Sequence, residues 1–263
     1  AARRAGVQTL CPGSDIAALL DKPNNNLAVE YCKAIIEQNV EMQPIALPRQ
    51  GADHGQALTE SAHAAFASAS ALRTLWAEGG AAALAPYVPE KALKLYIMAE
   101  YDGKYTDFAV MGHCELALLR AACAEQAPFA AVRGVSEGLE HRLENAVRET
   151  ASLPALLDAL TTVRYPRARM RRLAMDAALG YTAQTPALPP YLHLLGARKE
   201  ALPLPGETAL PLSHSLARLA RENGTCAQMA AAQSRASDLG ALCRAKPEPM
   251  GGIYRQKIIF LTN

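Results

Sequence analysis

Apolar residues recur every three or four positions over most of the chain, which is the spacing of an amphipathic α-helix. Segments rich in β-formers are fewer and shorter: Ile45–Leu47, Ile253–Leu261, and Tyr191–Leu195, which is either a short strand or a turn. The sequence therefore predicts an α+β fold that is mostly α. The helical pattern covers Leu27–Ile36, Glu90–Ala99, Gly112–Ala124, Leu139–Thr150, Leu153–Leu160, Ser213–Arg221 and Ala227–Leu242.

The first helical segment follows a run of three asparagines. The side chain of Asn24 or Asn25 can cap this helix, because an Asn oxygen accepts from the free N–H groups of the first turn. Leu27, Tyr31 and Ile35 then share one helix face. We expect this face to be buried, so that Leu27→Ala costs about 2–5 kcal/mol.

A second feature of the N-terminal part is a strand, a polar loop and a helix in that order. The strand is Ile45–Leu47, and Ser68 or Ser70 can cap the helix, which carries Arg73 in its first turn. The N–H groups and the dipole at the start of a helix favour a phosphate. The pattern is a candidate anion site, and the alternative is a capped α/β segment that binds no ligand.

Residues 164–172 are the most charged part of the chain, with five arginines and no acidic residue. Pro166 suits the first turn of a helix. In a helix, Arg164, Arg167 and Arg171 share one face, while Met170 and the residues after Arg172 face the core. Such a face favours phosphate binding. The alternative is a solvated face whose acidic partners come from elsewhere in the fold.

Composition excludes several classes of protein. Half of the 263 residues are apolar, and the net charge of +2 does not indicate a partner. Six cysteines occur without a C-x-x-C pair, which favours reduced thiols. No apolar run approaches the ~20 residues of a membrane span. His54 and His63 lack a third ligand at a suitable spacing, so no metal site is expected.

The chain divides by composition near Gly79–Pro86, where Gly79-Gly80 closes the second helix. We therefore expect two domains, residues 1–80 and residues 81–263. The second is predicted to be helical until Gly180 and proline-rich for a stretch after it.

Several motifs occur in an order that resembles a known family. They are Pro23-Asn24-Asn25-Asn26-Leu27-Ala28, Pro44–His54, Phe66–Arg73, Glu137-Gly138-Leu139-Glu140-His141-Arg142, Arg164-Tyr165-Pro166-Arg167-Ala168-Arg169 and Pro190–Gly196. Together they resemble the bacterial tRNA(Met) cytidine acetate ligases over nearly the whole chain. The hexapeptide Glu137–Arg142 is the most distinctive of them.

The resemblance implies a fold and a function. Residues 1–80 would be the C-terminal part of a nucleotidyltransferase-like α/β domain, and residues 81–263 a mostly helical tRNA-binding domain with a few short strands. Members use ATP, here expected with Mg, to activate acetate as acetyl-adenylate. They transfer the acetyl group to the wobble cytidine of elongator tRNA-Met, and a cytoplasmic location is expected.

The candidate site residues follow from the same resemblance and from the anion-site and arginine arguments above. The catalytic residues stay unknown. The expected ATP-binding residues are Asn24, Arg49, Gln50, Ser68, Ser70 and Arg73, and the expected RNA-binding residues are Arg142, Arg164, Arg167, Arg169, Arg171 and Arg172.

Two departures from the family pattern change the expectation. The strand and the His-x-Gly-His loop that grip the triphosphate in the family have no counterpart here, and His193 stands where the family usually has Arg. We therefore expect a portion of the enzyme that is inactive by itself and binds ATP with a Kd poorer than ~1 mM. The rival interpretations are a non-catalytic RNA-binding module and a nucleotidyltransferase that acts on a small molecule.

Overall fold

A computed structural model describes residues 2–13, 15–47, 67–201 and 208–261. The chain divides into two compact units, Ala1–Arg73 and Thr74–Asn263. Helices dominate and the strands are few and short, as predicted for an α+β, mostly α fold. The expected domain boundary after residue 80 and the roles expected of the two domains stay predictions.

The N-terminal unit consists of helices α1 (Ala2–Leu10), α2 (Ile16–Leu19) and α3 (Pro23–Glu37), and of the start of α4 (Ala69–Gly79). The predicted helix at Leu27–Ile36 is therefore confirmed. The prediction that Asn24 or Asn25 caps it is wrong, because α3 begins with Pro23 and its N-cap residue is Lys22. Proline suits that first position, since its fixed φ is helical and its missing N–H has no partner there.

The apolar face of α3 is not buried as we expected. Leu27 is 53% exposed and Tyr31 is 63% exposed, while Ile35 is half-buried. The predicted strand at Ile45–Leu47 is also wrong, because residues 40–47 form no strand. Both errors have the same physical reason: a helix stripe and a β-prone segment are specified only when something packs against them or pairs with them.

The second unit contains most of the helices. After α4 come α5 (Glu90–Tyr101), α6 (Phe108–Ala122), α7 (Leu139–Glu149), α8 (Leu153–Leu160), α9 (Arg167–Ala178), α10 (Leu216–Leu219) and α11 (Gly224–Leu242). The helices predicted at Leu139–Thr150 and Leu153–Leu160 are confirmed almost to the residue. Ser152 explains the sharp start of α8, because its hydroxyl accepts from the Ala155 N–H at 3.3 Å.

The main core lies among α6, α7, α8 and α9, which pack on one another. Leucines at helical spacing supply most of it, together with Phe129 and Met170. These side chains are fully buried: Leu119, Phe129, Leu143, Val147, Leu156, Leu160 and Met170. A second cluster joins Tyr191 to α10 and α11, through Leu216, Leu219, Cys226 and Ala230.

The start of the second unit is held by one carboxylate. Glu100 of α5 accepts hydrogen bonds from the indole Nε1 of Trp76 at 2.9 Å and from the Ala81 N–H at 3.0 Å. The Trp76 ring also lies 5.4 Å from the ring of Tyr96, centroid to centroid. The single tryptophan of the chain is therefore packed within this unit.

The strands of the second unit form two parallel pairs. β1 (Leu192–His193) pairs with β3 (Leu212–Ser213), and β2 (Gly196–Arg198) pairs with β4 (Ile259–Leu261). A Cβ on Gly196 would lie 3.0 Å from the carbonyl oxygen of Ile259, so glycine permits the close approach of β2 and β4.

Two of the strand predictions can be compared with these pairs. At Tyr191–Leu195, where the sequence allowed a short strand or a turn, the structure has a strand at Leu192–His193. The prediction at Ile253–Leu261 holds only for its last three residues, because Gly252–Arg255 forms a 3₁₀-helix. The β2 strand is three residues long and pairs with Ile259–Leu261 alone, so the rest of the predicted segment has no strand beside it.

Candidate functional site

The site with the richest chemistry is a cavity of about 810 Å³ in the second unit, bordered by α6, α8 and α9. All three helices begin at its wall. Phe108 and Ala109 open α6, Leu153 and Pro154 open α8, and Arg167 opens α9. The positive ends of three helix dipoles are therefore gathered at one place, which favours an anionic ligand.

The three helix starts differ in how their first N–H groups are used. Asp107 caps α6 by accepting from the N–H groups of Ala109 and Val110 at 2.8 and 3.2 Å, and Ser152 caps α8. Helix α9 follows Pro166 and has no side-chain cap. Its first amides are the ones that stay available to a ligand.

Packing fixes the direction of the arginines on α9. Met170, Leu173, Ala174 and Ala177 are buried in the core. Outside this buried stripe lie Arg167, Arg171 and Arg172, which are exposed and line the cavity. One part of the sequence prediction is wrong: Arg164 precedes the helix, because α9 begins at Arg167.

The arginines before and at the start of α9 have acidic or aromatic neighbours. Arg164 forms an ion pair with Glu137, and Arg167 forms one with Asp158 of α8. The guanidinium of Arg169 lies 5.1 Å from the ring centroid of Tyr165. The alternative considered from the sequence, acidic partners from elsewhere in the fold, therefore holds for Arg164 and Arg167. Both pairs are exposed, and exposed pairs contribute little to stability.

Arg171 and Arg172 differ from these arginines. Among the described residues, no acidic side chain forms an ion pair with either of them. Two exposed guanidinium groups with unused donors therefore stand in the second turn of α9 and line the same cavity as its uncapped start. A guanidinium presents paired N–H donors that match a phosphate group.

A buried carboxylate completes the cavity. Glu115 of α6 lines it and is only 4% exposed. Burial raises the pKa of the Glu115 carboxyl to about 7, and the positive charge of Arg171 partly offsets that rise. Within the described part of the chain, no side chain or amide donates a hydrogen bond to this carboxylate. It is therefore an acceptor available to a ligand.

Sequence reasoning missed Glu115. The available signal was its place on a helix face: it lies four residues after Met111 and four before the buried Leu119. A carboxylate within an apolar stripe is placed toward the core. Acidic residues are rarely buried unless they are paired, and buried ones with a shifted pKa often belong to functional sites.

The predicted RNA-binding residue Arg142 lies on α7. Its Nη2 donates to the carbonyl oxygen of Ala159 at 2.7 Å, near the end of α8, and its Nε is buried without a hydrogen-bond partner. Arg142 thus joins two helices of the core, and its contact with RNA stays a prediction.

The predicted ATP-binding residues that the structure describes belong to the first unit. Asn24 is exposed on α3, and Arg73 is exposed on α4. Ser68 is buried, and its hydroxyl accepts from the Ala71 N–H at 3.2 Å, which confirms that it caps α4. It also lies 3.0 Å from the Ser70 hydroxyl. Four residues named in the sequence analysis lie outside the described ranges: Arg49, Gln50, His54 and His63.

Other candidate chemistry is limited. Across the described ranges, no three His, Cys, Asp or Glu side chains converge as metal ligands would, and none of the helices described is long and apolar enough to span a membrane. His193 of β1 contacts the carbonyl oxygen of His214 at 3.3 Å and the amide of Gln233 at 3.5 Å. Five cysteines are free thiols, namely Cys32, Cys114, Cys123, Cys226 and Cys243, with Cys114 and Cys243 in the same cluster.

A family model described as HIGH Nucleotidyl Transferase matches residues 2–248. The chain belongs to the HIGH nucleotidyltransferase family. The predicted kinship with a nucleotidyltransferase is thereby confirmed, and the match extends across both units of this HIGH nucleotidyltransferase chain.

Named relatives agree with that assignment. A tRNA(Met) cytidine acetate ligase of Listeria monocytogenes is 31% identical over 186 residues, which are 69% of this chain and 45% of that protein. A tRNA(Met) cytidine acetate ligase of a Geobacillus species is 29% identical over 188 residues, with shares of 67% and 45%. This HIGH nucleotidyltransferase chain thus spans about half the length of the curated relatives it matches.

A solved structure shows the same fold. Thermotoga maritima TmcAL in its apo form superposes with a TM-score of 0.78 over 94% of this chain and 62% of that one, at 21% identity. The same Thermotoga protein has also been solved with alpha-thio ATP bound, and this chain matches that structure with a TM-score of 0.78 at 18% identity. The α+β, mostly α fold predicted for this HIGH nucleotidyltransferase is therefore confirmed.

Proposed function

We propose that this chain is part of an ATP-dependent tRNA(Met) cytidine acetate ligase. The enzyme would activate acetate as acetyl-adenylate and transfer the acetyl group to the exocyclic amine of the wobble cytidine of elongator tRNA-Met. Membership of the HIGH nucleotidyltransferase family and the names of its relatives support this proposal.

The observation that carries the RNA part of the proposal is the pair Arg171 and Arg172. Both are exposed in the second turn of α9 and line the same cavity as its uncapped start, and no described acid pairs with them. The tRNA backbone is a dense row of phosphates, and guanidinium groups match it in charge and in paired donors. We assign the second unit to tRNA binding, with Arg164, Arg167 and Arg169 at the margin of the contact.

The first unit would take part in ATP binding. Asn24 and Arg73 are exposed and can contact a nucleotide, with Arg73 neutralising phosphate charge. Ser68 would act by fixing the start of α4, since its hydroxyl is already bonded within the helix cap. Mg would be held mainly by the phosphates, because this ion is usually bound through one or two carboxylates and substrate oxygens.

A salt titration of tRNA binding tests the RNA part directly. Each phosphate contact releases counterions, so affinity falls as salt rises. Replacing Arg171→Ala together with Arg172→Ala should weaken binding and flatten the salt dependence by about one to two units of slope. The matched control is Arg218→Ala with Arg221→Ala, which removes the same charge from outside the cavity wall. Equal effects of the two double variants would contradict the assignment.

The chemical part is tested with the full-length enzyme, radiolabelled acetate, ATP and tRNA. Label recovered as acetylcytidine after nuclease digestion supports the proposed reaction. ATP consumption with label only on a small molecule would favour a nucleotidyltransferase that does not act on RNA. Binding of tRNA without ATP consumption would favour the non-catalytic module.

A further inference from the structure

The cavity among α6, α8 and α9 has features that phosphate-backbone binding does not require. A row of phosphates needs only exposed cations, yet here the cations border a cavity of about 810 Å³. That volume lies within the ~300–1,000 Å³ of small-molecule pockets. Its lining changes from exposed arginines at α9 to the buried carboxylate of Glu115.

Each part of the lining matches a different part of one ligand. The uncapped start of α9, with Arg171 and Arg172, suits a phosphate. Phe108 is 68% exposed at the same cavity, which leaves its ring free to stack on a flat group. Met111 and Met175 add apolar walls that adapt to such a ring.

Glu115 specifies the polar edge of that flat group. The Glu115 residue is only 4% exposed, and no described group donates a hydrogen bond to its carboxylate. When it is ionised, this carboxylate only accepts hydrogen bonds, so a ligand that contacts it in that state brings N–H or O–H donors. A phosphate, a flat ring and N–H donors on the ring edge together describe a nucleotide.

We propose that this cavity binds a single nucleotide, with its base between Phe108 and Glu115 and its phosphate at the start of α9. Guanine fits best, because it presents two adjacent N–H donors to a carboxylate. The source of the nucleotide is RNA, an assignment that rests on the proposed function of this surface. The cavity then selects an unpaired base within the bound RNA, which phosphate contacts alone cannot do.

Methionine methyl resonances provide the readout. The chain has seven methionines, of which Met111 and Met175 line the cavity and the others serve as internal references. With ¹³C-methyl labelling, GMP should shift the resonances of Met111 and Met175 and leave the reference signals in place. Ribose 5-phosphate, which lacks the base, should bind about tenfold more weakly. Absence of any shift with GMP and with tRNA overturns the proposal.

Variants separate the base from the phosphate. Glu115→Gln keeps the shape of the cavity and should weaken GMP about tenfold while leaving ribose 5-phosphate unchanged. Ala168→Trp fills the cavity mouth without removing a charge and should abolish the GMP shifts. Its matched control is Ala231→Trp, at an exposed position of α11 outside the cavity. Phe108→Ala, at an exposed side chain, gives a second test if Ala168→Trp melts early.

The same variants, assayed with tRNA, separate this inference from the proposed function. If the cavity takes a base of the RNA, Ala168→Trp and Phe108→Ala each weaken tRNA binding about tenfold. If only Arg171→Ala with Arg172→Ala weakens tRNA binding, the proposed function stands and the RNA base is excluded. A third outcome is that GMP binds but no variant changes tRNA binding. The cavity is then a site for a free nucleotide, and the proposal that it takes a base of the RNA is wrong, as is the assignment of Arg171 and Arg172 to tRNA binding.

Discussion

Replacing Glu115 with glutamine should make the protein more stable at pH 8. The carboxyl has an ordinary pKa of 4.5, and burial raises it to about 7 in the folded state. The unfolded chain therefore releases this proton first as the pH rises. Stability from this group is highest below pH 4.5, falls between pH 4.5 and 7, and stays low above pH 7.

The size of the effect follows from the distance between the two pKa values. At about 1.4 kcal/mol for each pH unit, ionising Glu115 costs about 3–4 kcal/mol of folding free energy. Because the cavity is open to solvent, screening should reduce this cost to about 2 kcal/mol. Glu115→Gln removes the charge and keeps the shape, and should raise the melting temperature by about 4–8 °C at pH 8. At pH 4 the variant and the parent should melt together.

The assay is a set of melts between pH 4 and pH 9, followed by the fluorescence of Trp76, which lies in the same unit as Glu115. Glu125→Gln, an exposed carboxylate just beyond α6, is the matched control and should change the stability by less than ~0.5 kcal/mol. A loss of stability for Glu115→Gln at pH 8 would refute the reasoning. It would mean that Arg171 stabilises the carboxylate by more than burial costs.

Three further predictions concern the core, the strands and the thiols. Leu143 is fully buried in the main core, so Leu143→Ala should lower the free energy of unfolding by about 2–5 kcal/mol in a denaturant titration. Gly196→Ala should cost about 1–3 kcal/mol in the same titration, because its Cβ would meet the Ile259 carbonyl. Burial raises the pKa of the Cys243 thiol to about 11, so about one molecule in a thousand is thiolate at pH 8. A thiol reagent should therefore modify the exposed Cys11 and Cys32 before the buried Cys243.

The helices of the main core were predictable because packing and local signals agree there. Leu153–Leu160 was predicted with both ends correct, since Ser152 caps the start and Leu156, Leu157 and Leu160 are buried. In α3 the same apolar spacing was present, but Leu27 is exposed. Periodicity tells which residues share a face, whereas burial depends on what else packs against that face.

The candidate site was only partly predictable for a related reason. Arg171 stood out by its place in an acid-free run, and the structure leaves it without an ion pair among the described residues. Arg164 pairs with Glu137, which lies 27 residues earlier in the sequence, and Arg167 pairs with Asp158, which lies 9 residues earlier. The cavity itself arises where three helices begin, and no local pattern specifies that meeting point.

The hexapeptide Glu137–Arg142, the most distinctive of the family motifs, forms bonds at both ends to later segments of the chain. Glu137 and Gly138 both have positive φ, at 57° and 79°, and Glu137 bonds to Arg164 and to the Tyr165 hydroxyl. At its other end Arg142 bonds to the end of α8. The hexapeptide therefore sets the approach of the chain to the first turn of α9. Relatives found by a search with this hexapeptide should therefore hold α9 in the same orientation. What these chains bind would be decided by other residues, those that α9 carries and those that face its first turn.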